Sequence, residues 1–188
     1  MTSKTISTRA LTAIATSFLV ISCGDQPGPE TPIEAAMLAF DALKSGDFDD
    51  YSPLLVTEND MEEMLSQIPY EARKSMESAA EAEGKSVDDL WMEEFEEMRA
   101  AGEGGFDETI EESSKSLDWS SAIFLGLDWG RVKYAKGEGL NYRVDHYFWV
   151  KCEDELHTFK MNDVFRTSRG LCTGGPPKYE GSETIKGL

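Results

Sequence analysis

The chain has 188 residues, with 36 acidic against 18 basic side chains and a formal net charge of −18. A chain of this size can bury one sizeable core without a metal or disulfide scaffold. Its charge repels phosphate backbones and anionic headgroups, which excludes direct nucleic-acid binding and peripheral docking on anionic lipid by surface charge.

Lys4 and Arg9 form a short positive region ahead of a mostly apolar run of twelve residues, 10–21 (ALTAIATSFLVI). A membrane-crossing helix needs about 20 apolar residues, so the run fits the apolar core of a signal peptide instead. It ends Val20-Ile21-Ser22-Cys23, which resembles the lipobox of bacterial lipoproteins. The resemblance implies cleavage after Ser22, lipid on Cys23, and tethering in the cell envelope facing the periplasm. Gly24 rather than an aspartate after the cysteine leans toward the outer membrane. Loss of Lys4 and Arg9 with the leader takes the net charge from −18 to −20. Residues 24–31 (GDQPGPET) read as a spacer. The division is 1–22 signal peptide, 23–31 lipidated cysteine and flexible tether, 32–177 a single domain, and 178–188 a loose C-terminal tail.

Helices come first. Thr31-Pro32-Ile33-Glu34 combines a cap, a proline at the first helical position and a capping-box glutamate. Ile33, Ala36, Met37, Phe40 and Leu43 form an apolar stripe, and Gly46 supplies the stop. Asp47 caps a short second helix bearing Phe48, Tyr51, Leu54 and Leu55. Helices follow over 57–68 and 70–83, with Gly84 ending the latter. Another begins at Ser86 with Val87, Leu90, Trp91, Phe95 and Met98 inward. The Gly102-Glu103-Gly104-Gly105 run predicts a break before a last helix over 107–117. Residues 119–129 suit either a buried helix or a strand.

From Gly130 the apolar period becomes two. Strands are predicted over 132–136, 142–152, 156–166 and 170–174, with Glu153-Asp154-Glu155 and Thr167-Ser168-Arg169 as connectors. The layout is α+β, N-terminal helices packed on a curved antiparallel C-terminal sheet. The opening stretch TPIEAAMLAFDALKSGDFDDYSPLL and the closing run YRVDHYFWVKCEDELHTFKMNDVFRTSRGLCTGGP together resemble the nuclear transport factor 2-like, or cystatin-like, superfamily. That resemblance implies a cone-shaped fold, and sheet-face dimerisation is common in it.

Three-residue connectors would set Cys152 opposite Leu156 and Val144 opposite Val164. Tyr147, Trp149, Phe159 and Met161 then share one face with Asp145 and Asp163, and Trp149 and Phe159 are cross-strand neighbours. Both faces are substantially apolar, which a sheet wet on one side is not. The aromatic face is therefore core, a small-molecule pocket, or a surface for a homodimer or an envelope partner. Opposed Asp145 and Asp163 could raise one carboxyl pKa toward general acid or base work, or be solvated sheet-end residues. His146 and His157 fall on opposite faces, so they share no metal site. No zinc, phosphate-loop or nucleophile-elbow pattern occurs, and no cofactor is expected. Residues 77–112 hold fourteen acidic side chains against Lys85 and Arg99, read as a solvated helix face. Cys172, expected opposite Val164, lies too far from Cys152 to pair with it. The expected function is a membrane-tethered, non-enzymatic binding or interaction module. A pocket isomerase or dehydratase using a sheet carboxylate and a structural envelope protein are the alternatives.

Overall fold

A computed structural model describes residues 27–128, 133–134 and 144–185. The expected leader with Cys23, and residues 129–132 and 135–143, on which parts of two expected strands fall, lie outside the described residues. Among those described, five helices pack on a curled antiparallel half-barrel sheet in an α+β arrangement. No described helix is long and apolar enough to cross a membrane.

The helix-start signals act as local chemistry dictates. Helix α1, Pro32–Ser45, opens with the capping box: Glu34 N–H donates to Thr31 Oγ1 at 3.3 Å and Thr31 N–H to Glu34 Oε2 at 3.0 Å. It ends at Gly46, whose φ of 73° suits a residue without Cβ. Its buried side is Ala35, Ala36, Ala39, Phe40, Ala42 and Leu43. Ile33 and Met37 of the expected stripe face outward instead, joined by Leu38. The alanines let the helix lie close to the sheet, and the buried stripe is centred on them.

Helix α2, Phe48–Tyr51, runs into a 3-10 turn at Ser52–Leu54 that absorbs Pro53. Helices α3 (Glu58–Ser66) and α4 (Tyr70–Glu83) follow, then α5, Val87–Ser113. Helix α5 passes straight through the expected glycine break. A Cβ on Gly102 would come within 3.3 Å of Leu55, and one on Gly105 within 2.9 Å of Pro176. These glycines let the helix press against its neighbours, and that packing offsets their poor helix propensity of about 1 kcal/mol each. Gly104 has nothing within 4 Å of its would-be Cβ. Gly104→Ala should therefore stabilise the fold by about 0.5–1 kcal/mol, whereas Gly105→Ala should destabilise it. Urea midpoints of the two variants check the opposite signs.

The strands are β1 (Ile123–Leu127), β2 (Lys133–Tyr134), β3 (Val144–Cys152), β4 (Glu155–Thr167), β5 (Gly170–Thr173) and β6 (Lys178–Thr184). The stretch of uncertain period thus becomes strand β1, and residues assigned to a loose tail become β6. All neighbours pair antiparallel around a central β3–β4 ladder. One edge of β3 carries β1 and β2, and the far edge of β4 carries β6 and β5. The Gly174 to Pro177 link separates β5 from β6, and α5 crosses there: Thr109 Oγ1 donates to Pro177 O at 2.6 Å.

Both tight turns are one residue shorter than expected. Cys152 pairs with Glu155 and Thr167 with Gly170, leaving only Glu153-Asp154 and Ser168-Arg169 as loops. Glu153 takes φ 51°, the left-handed conformation that a two-residue hairpin loop demands. Cys172 consequently sits opposite Phe165, not Val164. The expected Val144–Val164 pair does form, because a bulge absorbs the slip: the register shifts between Val144 and His146, with Asp163 at φ 50°.

Two cores result. The larger joins α1, α2 and the C-terminal half of α5 to the inner sheet face through Phe40, Leu43, Tyr51, Phe106, Phe148, Phe159, Met161 and Val164. The smaller packs Val56, Met61, Met64 and Phe95 on Cys172 and Phe165, on the opposite face. The β5 end of the sheet is thus covered on both sides.

Candidate interaction surface

The register decides which aromatics remain accessible. Phe148 pairs with Phe159, their rings stacked at 5.2 Å, and both are fully buried with Met161. Trp149 pairs with Thr158, and Tyr147 with Lys160, on the outward face. The expected four-residue aromatic face therefore splits. Phe159 and Met161 are core; Tyr147 and Trp149 stay half-buried outside. A one-residue slip exchanges the faces of one strand wholesale, and the shorter turn causes it here.

Among the described residues, neither hydrophobic cluster extends over the outward face at the β3–β4 turn end. Strand β1 sets Ile123 beside Lys151 and Gly126 beside Trp149. Ile123 is 59% exposed and Leu125, at a β1 bulge, 50%. Tyr147, Trp149 and the half-buried Leu156 share this outward face, with Lys151 standing between Ile123 and Leu156 in one cross-strand row. Lys151 and Leu156 are paired, and Lys160 pairs with Lys178 of β6. Lys160 Nζ lies 2.9 Å from Asp145 Oδ2 and 5.8 Å from the Tyr147 ring centre. The hydrogen bond to Asp145 holds the ammonium above its ordinary pKa. Acids share this face as well: Glu183 of β6 pairs with Leu156.

The two aspartates do come together: Asp163 N–H points at Asp145 Oδ1 across 3.5 Å. Asp145 is nevertheless committed to Lys160. Neither carboxylate lines the large groove of the structure, an open cleft of about 900 Å³ between α2, the start of α3 and the middle of α5. Phe48, Leu55, Phe95 and Met98 form its apolar walls, with Arg99 and Glu103 among its polar residues. No local pattern in the sequence marks this cleft, because it forms where glycine-bearing α5 passes the 3-10 turn.

His146 and His157 are both buried on the inner face, not on opposite faces as expected. His157 Nδ1 lies 3.0 Å from Tyr179 Oη, which meets Ser116 Oγ at 2.8 Å. Its Nε2 is 3.6 Å from Glu155 Oε2, beyond hydrogen-bond reach. Burial pushes both imidazoles below their usual range, against the opposing pull of Asp145 on His146 and of Glu155 on His157. The unfolded chain therefore takes up these protons first. Stability should be full above the free imidazole value of about 6.5 and fall as pH drops below it. Melting temperatures between pH 8 and 5 should decline below about 6.5, well above the carboxylate range. A flat profile down to pH 5 would mean these imidazoles titrate alike folded and unfolded.

Cys152 and Cys172 are unpaired, as expected, and both buried. Burial pushes the Cys172 thiol up to about 12, so it is an inert core residue. Among the described residues no three histidine, cysteine or carboxylate side chains cluster as a metal site. Comparison with known protein families, curated proteins and solved structures finds no match.

Proposed function

We propose that this protein is a lipid-anchored interaction module of the bacterial cell envelope, tethered through Cys23 and binding a protein partner through the outward face of β1, β3 and β4. The observation that carries the reading is the exposure of Ile123 and Leu125 beside the half-buried Tyr147 and Trp149, at the end of the sheet whose outward face neither hydrophobic cluster of the described residues covers. Large exposed apolar residues grouped on one face mark interaction sites more often than scattered ones do. A second copy and a separate envelope protein both fit, and the outer membrane is the favoured location. Within the α+β class the arrangement is proposed to be nuclear transport factor 2-like, on the strength of an opening helix laid across the concave face of a curled sheet.

Trp149→Glu places a charge on this outward face without touching the core. The variant should melt within a few degrees of the parent and lose association, read by sedimentation or by partner capture. Loss of folding in that variant would make Trp149 a core residue and end the interface reading. The anchor has its own test. A fatty-acid analogue should label the parent in cells and leave Cys23→Ser unlabelled.

A further inference from the structure

The chain is fastened to the domain almost as soon as the lipobox cysteine has passed. Gly28 N–H donates to Arg169 O at 2.8 Å, and Leu171 N–H donates to Pro29 O at 2.8 Å. Arg166 Nη2 donates to Glu30 O at 2.8 Å, and Glu30 N–H to Glu34 Oε2 at 2.9 Å. Pro29 is buried. Gly170 makes the approach possible: at φ 129° its would-be Cβ lies 2.8 Å from both Gly28 O and Pro29 O, where no side chain fits. Residues 28–31, expected to belong to a flexible tether, are part of the folded body. The join lies at the β4–β5 turn.

Chain length then fixes a geometry. From Cys23 to Gly28 is five residue steps, at most about 18 Å fully extended. Strand β4 has 13 residues and spans about 40 Å, from the β4–β5 turn at one end to the β3–β4 turn at the other. The tether is less than half the length of the body it holds. Helix α1 begins beside the clamp and runs away from it: near its far end Lys44 Nζ donates to Ala122 O at 2.8 Å, next to the start of β1. Ile33, Met37 and Leu38, which are 37%, 47% and 43% exposed, therefore occupy the two helical turns nearest the clamp. Ile33 and Met37 are one turn apart on the same helix face.

We propose that the anchored domain stands on the bilayer in one orientation, with the β4–β5 turn and the outward side of the first turns of α1 against the lipid surface. Ile33, Met37 and Leu38 rest in the interfacial layer, and the β3–β4 turn, with the Trp149 face beside it, is held away from the membrane. The inference rests on the anchoring at Cys23. The short tether, not surface charge, imposes the contact, since a domain of net charge −20 gains nothing from anionic headgroups. The arrangement also gives the interaction face its direction, outward toward a partner.

The test uses the full chain, lipidated in cells, purified, and reconstituted into phosphatidylcholine vesicles carrying nitroxide-headgroup lipid. A fluorophore is placed on Met37→Cys in one sample and on Asp154→Cys in another; the native Cys152 and Cys172 are buried and stay unlabelled under folding conditions. The Met37 probe should be quenched several-fold more than the Asp154 probe. Inserting eight residues between Asp25 and Gln26 should reduce that difference. Equal quenching of the two probes in protein that floats with the vesicles would overturn the orientation while leaving the anchor intact. Protein without acyl mass that fails to float would overturn the anchor, and the orientation with it. Hydrogen exchange reads the clamp independently of lipid: the Gly28 and Leu171 amides should be protected, and rapid exchange at both would remove the basis of the inference.

Discussion

Replacing Arg169 with methionine should destabilise the fold by about 3–5 kcal/mol at neutral pH, the usual cost of breaking a buried pair by removing one partner. Its guanidinium donates to Asp60 Oδ2 through Nε at 3.0 Å and Nη2 at 2.7 Å, to Pro53 O through Nη1 at 2.6 Å and to Leu55 O through Nη2 at 2.8 Å. The Arg169 and Asp60 side chains are 7% and 3% exposed. One cation thus ties the β4–β5 turn to the 3-10 turn and to the cap of α3, where Asp60 also accepts from Thr57 N–H at 3.0 Å. Burial alone would raise the Asp60 pKa, but the hydrogen bonds from Arg169 and its neighbours outweigh it and hold the carboxyl below its usual value. A depressed carboxylate stabilises the fold above the unfolded value of about 3.9 and loses that contribution as pH falls through the folded one. Without the arginine, Asp60 can shed its charge by taking a proton. The penalty of Arg169→Met should therefore shrink on acidification, and the double variant Asp60→Asn/Arg169→Met should be less destabilised than the single. Urea unfolding at pH 7 and at pH 5 reads both effects. Equal penalties at the two pH values would show that Asp60 stays ionised without its partner.

Phe159→Ala should cost about 3–5 kcal/mol, as large-to-small changes in a close-packed aromatic core do. Its ring stacks on Phe148 and meets Trp119 at 5.6 Å and Tyr179 at 5.3 Å, with no exposure to solvent. Thermal unfolding should show a fall well beyond that of Trp149→Glu, although sequence alternation alone put the two residues on one face. Comparable small losses in both variants would mean that Phe159 lies outside the core, and that the two-residue β3–β4 turn is wrong.

The helix starts were legible in the residues themselves. Thr31 with Glu34, Thr57 with Asp60 and Ser86 with Asp89 each close a capping box within four residues, so no distant contact is needed to place them. The antiparallel meander was legible for a similar reason, since alternation and polar turns are short-range signals. The unpaired cysteines also followed, because even an inexact register separates their strand positions widely. The resemblance of residues 20–23 to a lipobox is another local pattern, and it falls outside the described residues.

What the residues nearby do not encode was decided by tertiary packing. Glycines that would end an isolated helix sit inside α5, because Leu55 and Pro176 fill the space a side chain would take. A polar C-terminal stretch became β6, because β4 is long enough to offer it an edge beyond β5. The clamp at Gly28 exists only because Gly170 leaves room for it. The faces of Trp149 and Phe159 depend on whether a turn has two residues or three, which alternation cannot tell. Glu153 in a left-handed conformation and a bulge at Asp163 settle it. Local hydrogen bonds and periodicity thus determine which elements form, while close approach and strand register determine which side chains reach the surface.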